Sequence, residues 1–141
     1  MAAVRNVWPL ASHHVCFFHF CQAVFREVQH LGLVRDYMAN VEVRTIVPTL
    51  MSTALLPLAE VPAAVNAIEV IVAMQYHVLA PLLEYFRNQW MNRVAPHYWN
   101  VHNRPRRTNN DVEAWHNSTK KSIALAKPDV YCYIDWLRHE E

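Results

Sequence analysis

The chain has 141 residues, 53% of them hydrophobic and 18% charged, with a net charge of +1. That length suffices for one domain with a real core, and the apolar share excludes a disordered chain. The near-neutral balance gives no global case for a nucleic-acid partner, and the single glycine, Gly32, favours helices over hairpin-rich sheets that spend glycine on turns.

In chain order, Val4, Val7 and Trp8 have helical spacing and Pro9 stops them, so the opening residues read as the tail of a helix. His14-Val15-Cys16-Phe17-Phe18 is a short apolar run rich in strand formers and predicts one buried strand over about residues 14–18. A lone strand needs partners, which this sequence does not clearly encode. An exposed edge and poor solubility in isolation are therefore expected. Phe20, Val24, Val28 and Leu31 recur at helical spacing, and Gly32 follows where a helix-ending glycine belongs. Val41 to Ala54 predicts a second helix, kinked or divided at Pro48. Glu60-Val61-Pro62 opens a third, carrying Val65, Ile68, Ile71 and Val72. Pro81 opens or kinks another with Leu82, Leu83, Tyr85, Phe86 and Trp90, so residues 35 to 94 form a helical block. Residues 95 to 107 read as a loop. Thr108-Asn109-Asn110-Asp111 offers caps for a helix to about Ala124, and Lys127-Pro128-Asp129 starts a final helix with Val130, Tyr133, Ile134 and Leu137 inward.

Charge is unevenly spread. Between Arg87 and Lys121 there are seven Lys/Arg against Asp111 and Glu113, a net +5, while the remainder is mildly acidic. Such a face suits phosphate contact, and equally a plain solvated surface. Cys16, Cys21 and Cys132 are an odd set at irregular spacing, which with no signal peptide points to a reducing compartment. The apolar stretch Leu50 to Met74 is broken by Pro57, Glu60, Pro62 and Glu69, so no membrane span is expected.

Two stretches could carry chemistry. Cys16-Phe17-Phe18-His19 has the C-x2-H spacing that lets a thiolate and an imidazole share a zinc ion, with His97 and His102 as further donors and His116 as a third option. The same residues fit a buried cysteine and hydrogen-bonded or surface histidines. Arg107-Thr108-Asn109-Asn110-Asp111-Val112-Glu113-Ala114-Trp115-His116-Asn117 places Glu113 in the first or second turn of a capped helix. The helix N-terminus favours an ionised carboxylate there, which a divalent metal ligand must be. A capping helix with Glu113 merely complementing the macrodipole satisfies the same pattern.

The strings CFFHFCQAVFREVQHLGL, YFRNQWM, YWNVH, RTNNDVEAWHN and YIDWLRHEE, in that order, resemble the second half of Mutator-like (MULE-type) transposase domains. That pattern runs C-x-F-H-x-x-Q-A, then a helical interval with Y-F-x-x-x-W, then T-N-N-x-x-E-x-W-H-N. The resemblance covers nearly the whole chain. It implies a mainly α chain forming the C-terminal portion of an RNase H-like α/β core with a helical insertion. Residues 1–34 would close the core, 35–107 would be the insertion and loop, and 108–141 would carry the catalytic acid and a last helix, together one incomplete domain.

In such enzymes Asp, Asp and Glu hold two Mg2+ or Mn2+ ions, roughly 3.5–4 Å apart, that cut DNA and transfer strands. Glu113 matches the third acid, and Asn109, Asn110, Trp115, His116 and Asn117 match the residues around it. Cys16 and His19 match the C-x2-H element, to which His97 and His102 are related by analogy with a structural zinc site. Arg104, Arg106, Arg107, Lys120 and Lys121 are expected to face DNA phosphates. The resemblance also implies a nuclear protein with DNA as its partner and a homodimer in a synaptic complex. No aspartate precedes Asp36, so the first two acids are expected upstream of Met1 and this polypeptide alone is expected to be inactive. Two other readings fit the sequence: a domesticated, non-catalytic DNA-binding remnant, and a structural helical domain for protein contacts.

Overall fold

The computed structural model describes residues 13–123 together with Val7, Tyr131, Ile134, Asp135 and Arg138. The expected opening helix is represented there by Val7, which is helical, and most of the final helix, with Val130, Tyr133 and Leu137, lies outside the described residues. The protein is mainly α-helical, with no strand among the described residues. Its helices are α1 (Phe17–His30), α2 (Val34–Ala39), α3 (Val41–Ser52), α4 (Val61–Gln75), α5 (Ala80–Phe86), α6 (Pro96–Trp99) and α7 (Asn110–Ile123). Short 3-10 turns link α3 to α4 and α4 to α5, and α5 runs on into a π-helical segment, Arg87–Arg93. The chain divides into two compact units, Met1–Arg107 and Thr108–Glu141.

The strand expected over 14–18 does not form. Residues 13–16 are an extended connection and the helix starts at Phe17, directly after Cys16 at φ −63°, ψ 129°. The N–H groups of Val15 and Phe17 do alternate as in a strand, donating to the carbonyls of Tyr98 and Arg107 at 2.8 Å each. Both acceptors lie in loop or one-turn helix, so two isolated bonds replace a ladder, and a segment without a neighbouring strand has no sheet to join. The exposed sheet edge expected with it does not arise among the described residues either.

α1 forms where the apolar spacing requires. Phe20, Val24 and Val28 lie on one stripe and are fully buried. Its end is a Schellman motif: Gly32 N–H donates to the Gln29 carbonyl at 3.0 Å and Leu33 N–H to Val28 at 2.9 Å. Gly32 has φ +70°, a conformation that costs a Cβ-bearing residue. Leu33 and Val28, the two ends of the longer bond, are both in the core. α3 is capped by Asn40, whose Oδ1 accepts from Glu42 N at 2.8 Å and Val43 N at 3.1 Å. Pro48 does not divide it, since the helix continues to Ser52. α4 starts with Pro62 in its first turn and turns Val61, Val65, Ile68 and Val72 inward. Ile71 faces outward and is 47% exposed. The window Leu58–Gln75 is apolar enough to cross a membrane by length and composition, yet those four inward residues belong to the core.

α1 packs on α3 and α5, and the centre of the first unit is aromatic. Phe20 stacks flat on Trp99, with centroids 4.9 Å apart and planes 4° from parallel. Trp90 meets Phe20 edge-on at 4.9 Å, and Phe86 does so at 6.1 Å. The Trp99 indole N–H donates to the Trp90 carbonyl at 2.6 Å and to Val94 at 3.1 Å, which satisfies its polar edge inside the core. Phe86 and Trp90 of YFRNQWM and Trp99 of YWNVH, together with Phe20, therefore build the centre of this unit.

Candidate functional site

The expected site residues fall in both units, and each group has its own setting. In the first unit, loop 100–107 carries the arginines. Buried Asn100 fixes its start: Nδ2 donates to the Leu56 carbonyl at 2.8 Å, and Oδ1 accepts from His102 N–H at 3.1 Å. Val101 N–H donates to Ala54 at 2.8 Å, and His102 Nδ1 lies 2.8 Å from the Leu55 carbonyl. A turn follows in which Asn103 takes φ 54°, a left-handed value that asparagine tolerates better than most residues. Arg104 folds back, its Nε donating to the Asn100 carbonyl at 2.9 Å. The far end is held by the Phe17–Arg107 bond. The loop is thus fixed to the core at both ends, with Arg106 and Arg107 exposed and Arg104 half-buried.

The structure adds a neighbour that the sequence reading passed over. His14 lies against this region and hydrogen-bonds the backbone of His97 and Tyr98. Burial, then the Arg104 guanidinium and lastly His97 hold His14 below its usual range, against the opposing pull of those hydrogen bonds. Position 14 and positions 97–104 are more than eighty residues apart, so no local spacing could reveal the contact. Arg87, by contrast, leaves the basic set. Its Nε and Nη2 grip Glu69 in a two-pronged pair, and Nη2 also donates to Asn66 at 2.7 Å. That pair raises its pKa further and spends its charge inside the unit.

The C-x2-H residues meet different surroundings. Cys16 is half-buried at the start of α1, and His19 is exposed in its first turn, edge-on to Phe18 at 5.4 Å. His97 is exposed with its ring 4.0 Å from Tyr98, while His102 is turned to Leu55. Cys16 and Cys21 are free thiols, and burial pushes Cys21 up to about 11, so it stays protonated at neutral pH. Among the described residues, no three His, Cys, Asp or Glu side chains are grouped as a metal site requires. The zinc expectation therefore stands on the C-x2-H spacing and the resemblance alone. An apolar groove of about 330 Å3 between α1, α2 and α3, lined by Phe18, Phe25, Tyr37 and Met51 among others, holds none of the expected site residues.

In the second unit, α7 begins at Asn110, and Glu113 N–H donates to the Asn109 carbonyl at 3.0 Å, the first bond of the helix. Asp111 and Glu113 both stand in its first turn, where the unpaired N–H groups favour negative charge. Asn109 is half-buried, and Asn110, Glu113, Trp115, Asn117 and Lys121 are exposed. The side chains of His116 and Lys120 lie outside the described set. Asp111 and Glu113 by themselves do not supply the three acids of a two-metal site of the expected kind.

Comparison of the chain with known protein families, curated proteins and solved structures gives no match.

Proposed function

We propose that this chain is the C-terminal part of a Mutator-like transposase domain, and that as it stands it binds DNA without cutting it. Loop 104–107 supplies the phosphate contacts of the first unit, and Lys121 adds charge on α7. Glu113 is the third acid of the metal-dependent cleavage site of the complete enzyme. The helical elements correspond, on this reading, to the closing part of an RNase H-like core and its insertion, and the setting is nuclear.

The observation that carries the reading is the arginine loop. Exposed Arg106 and Arg107 stand on a backbone tied at Asn100, Val101 and Arg107, and the sequence runs from there into the helix bearing Glu113. A backbone held in one shape presents guanidinium groups to phosphate with little ordering cost. Glu113 stands in a first helical turn, a position that suits the negative charge a ligand to Mg2+ or Mn2+ must carry. When bound by the complete acid set, those ions would stabilise the attacking and leaving oxygens of phosphoryl displacement. This sequence contains no aspartate before Asp36, so it does not itself carry the first two acids of such a site.

Fluorescence anisotropy with a labelled duplex across a salt series tests the reading. Affinity should fall steeply with salt, and Arg106→Ala with Arg107→Ala should weaken binding and reduce the salt slope by about 2, roughly one per lost phosphate contact. Binding that ignores salt, or ignores both substitutions, overturns it. Nicking or strand transfer with Mg2+ that disappears in Glu113→Gln overturns the non-catalytic part.

A further inference from the structure

We propose that the groove between α1, α2 and α3 is a docking site for an acidic amphipathic helix of a partner protein. The proposal does not rest on the DNA reading. The groove is about 330 Å3, with Phe18, Gln22 and Phe25 from α1, Tyr37 from α2, and Pro48 and Met51 from α3 in its walls. Phe18 is 56% exposed, and the rings of Phe25 and Tyr37 meet edge-on at 5.4 Å. Burial pushes the thiol of Cys21, which also lines the groove, up to about 11, so it adds no charge there at neutral pH.

The walls have the spacing a helix needs. Positions 18, 22 and 25 lie on one side of α1 and span about 10.5 Å, at roughly 1.5 Å per residue. That is about two helical turns, the length over which a docked helix sets apolar anchors at i, i+4 and i+7. α1 and α3 pack on each other, so a third helix can lie along the furrow between them.

Charge selects the sign of the partner. Arg26 lies four positions after Gln22 on α1, and Arg44 four before Pro48 on α3, so each extends a wall of the groove. α2 joins the C-terminal end of α1 to the N-terminal end of α3, which puts both arginines at the same end. Both are exposed, and among the described residues neither has a hydrogen-bond or ion-pair partner. The neighbouring acids do not cancel them. Glu42, nine positions before Met51, falls on the opposite side of α3 at roughly 3.6 residues per turn. On α2, half-buried Asp36 is offset in charge by exposed Arg35 beside it. An apolar groove ending in two unpaired guanidinium groups fits a helix with apolar anchors on one face and carboxylates at one end. A nucleic-acid backbone would engage the arginines and leave the apolar walls uncovered.

Fluorescence anisotropy of the full chain with a labelled helical peptide tests this. The probe carries Leu, Phe and Leu at i, i+4 and i+7 with glutamates at one end. One control has lysines in place of the glutamates, and another has alanines at the three anchors. The acidic probe should bind, and both controls should be weaker by at least about tenfold. Arg26→Glu combined with Arg44→Glu should weaken the acidic probe at least about tenfold and tighten the lysine control, with an unchanged melting temperature. Phe18→Gln should weaken the acidic probe; if it lowers the melting temperature, the paired arginine reversal carries the test. Arg106→Ala with Arg107→Ala should leave peptide binding unchanged, which separates this site from the DNA reading. No binding of the acidic probe up to about 1 mM, equal binding of the lysine control, or indifference to the paired reversal overturns the proposal. So does displacement of the probe by an equal concentration of decanoate, which would assign the groove to a small apolar carboxylate, or by an equal concentration of duplex DNA.

Discussion

Helices α1 and α7 each contain 14 residues, yet they are held in different ways. α1 buries Phe20, Val24 and Val28 completely, and its end is locked by Gly32 and Leu33. α7 buries none of its described side chains; Val112 is 52% exposed and Trp115 45%. An isolated helix of this length is marginal in water, so α1 draws its stability from the aromatic centre. At the start of α7 the Asn109 carbonyl takes the Glu113 N–H, and Asp111 and Glu113 stand in the first turn, where the helix dipole favours negative charge. The lesson is a division of labour along the sequence. One face of α1 is committed to packing, while the described side chains of α7 are all exposed.

The largest test of this contrast is truncation. Phe20→Ala removes the ring that Trp99, Trp90 and Phe86 all touch, and should cost about 3–5 kcal/mol in denaturant unfolding. Val112→Ala on α7 should change the same measurement by no more than about 0.5 kcal/mol. Similar costs for the two would erase the distinction. A smaller effect is expected where the first unit also depends on a local device. Asn40→Ala removes the acceptor for two N–H groups of α3 and should cost about 1 kcal/mol. Asn40→Asp should recover most of that loss, and failure to do so would assign the effect to something other than capping.

The smallest effect concerns His14 and the seam beside loop 97–104. Its folded-state pKa lies below 6.5, so as pH falls the unfolded chain takes up the proton first. The stability associated with the neutral imidazole is complete above 6.5 and declines as pH drops toward the folded value, with no further loss below it. Much of the ring is open to solvent, so the change is small. Melting curves on either side of pH 6.5 should separate the parent from His14→Gln, with the parent losing more on acidification. Equal slopes would remove His14 from the seam's energetics.

Helices were legible wherever an apolar period met a stop or a start. The helices carrying Phe20-Val24-Val28 before Gly32, and Val65 and Ile68 after Pro62, and the helix expected after Thr108-Asn109 all form. His14 to Phe18 misled because a short apolar run has no period of its own, and the partner that decides its state, Tyr98, is remote in sequence. The outward turn of Ile71 and the π-helical stretch after Phe86 are likewise set by neighbours rather than by local spacing. For the candidate site, the position of Glu113 in a first turn could be read from the polar run that opens at Thr108. The charge inventory could not be read so directly: Arg87 counts as basic until Glu69, 18 positions earlier, is seen to hold it.

Asn100 has a consequence for the order in which the molecule assembles. Its side chain reaches the Leu56 carbonyl across 44 positions, and His102 reaches Leu55 across 47. Closing a loop of that size early would forfeit chain entropy before any intervening contact repaid it. α4 and α5 are therefore expected to come into place first, and the arginine segment to take its shape late in folding. During synthesis it leaves the ribosome after every helix that will hold it, so a nascent chain does not display the finished basic surface until the aromatic centre has closed.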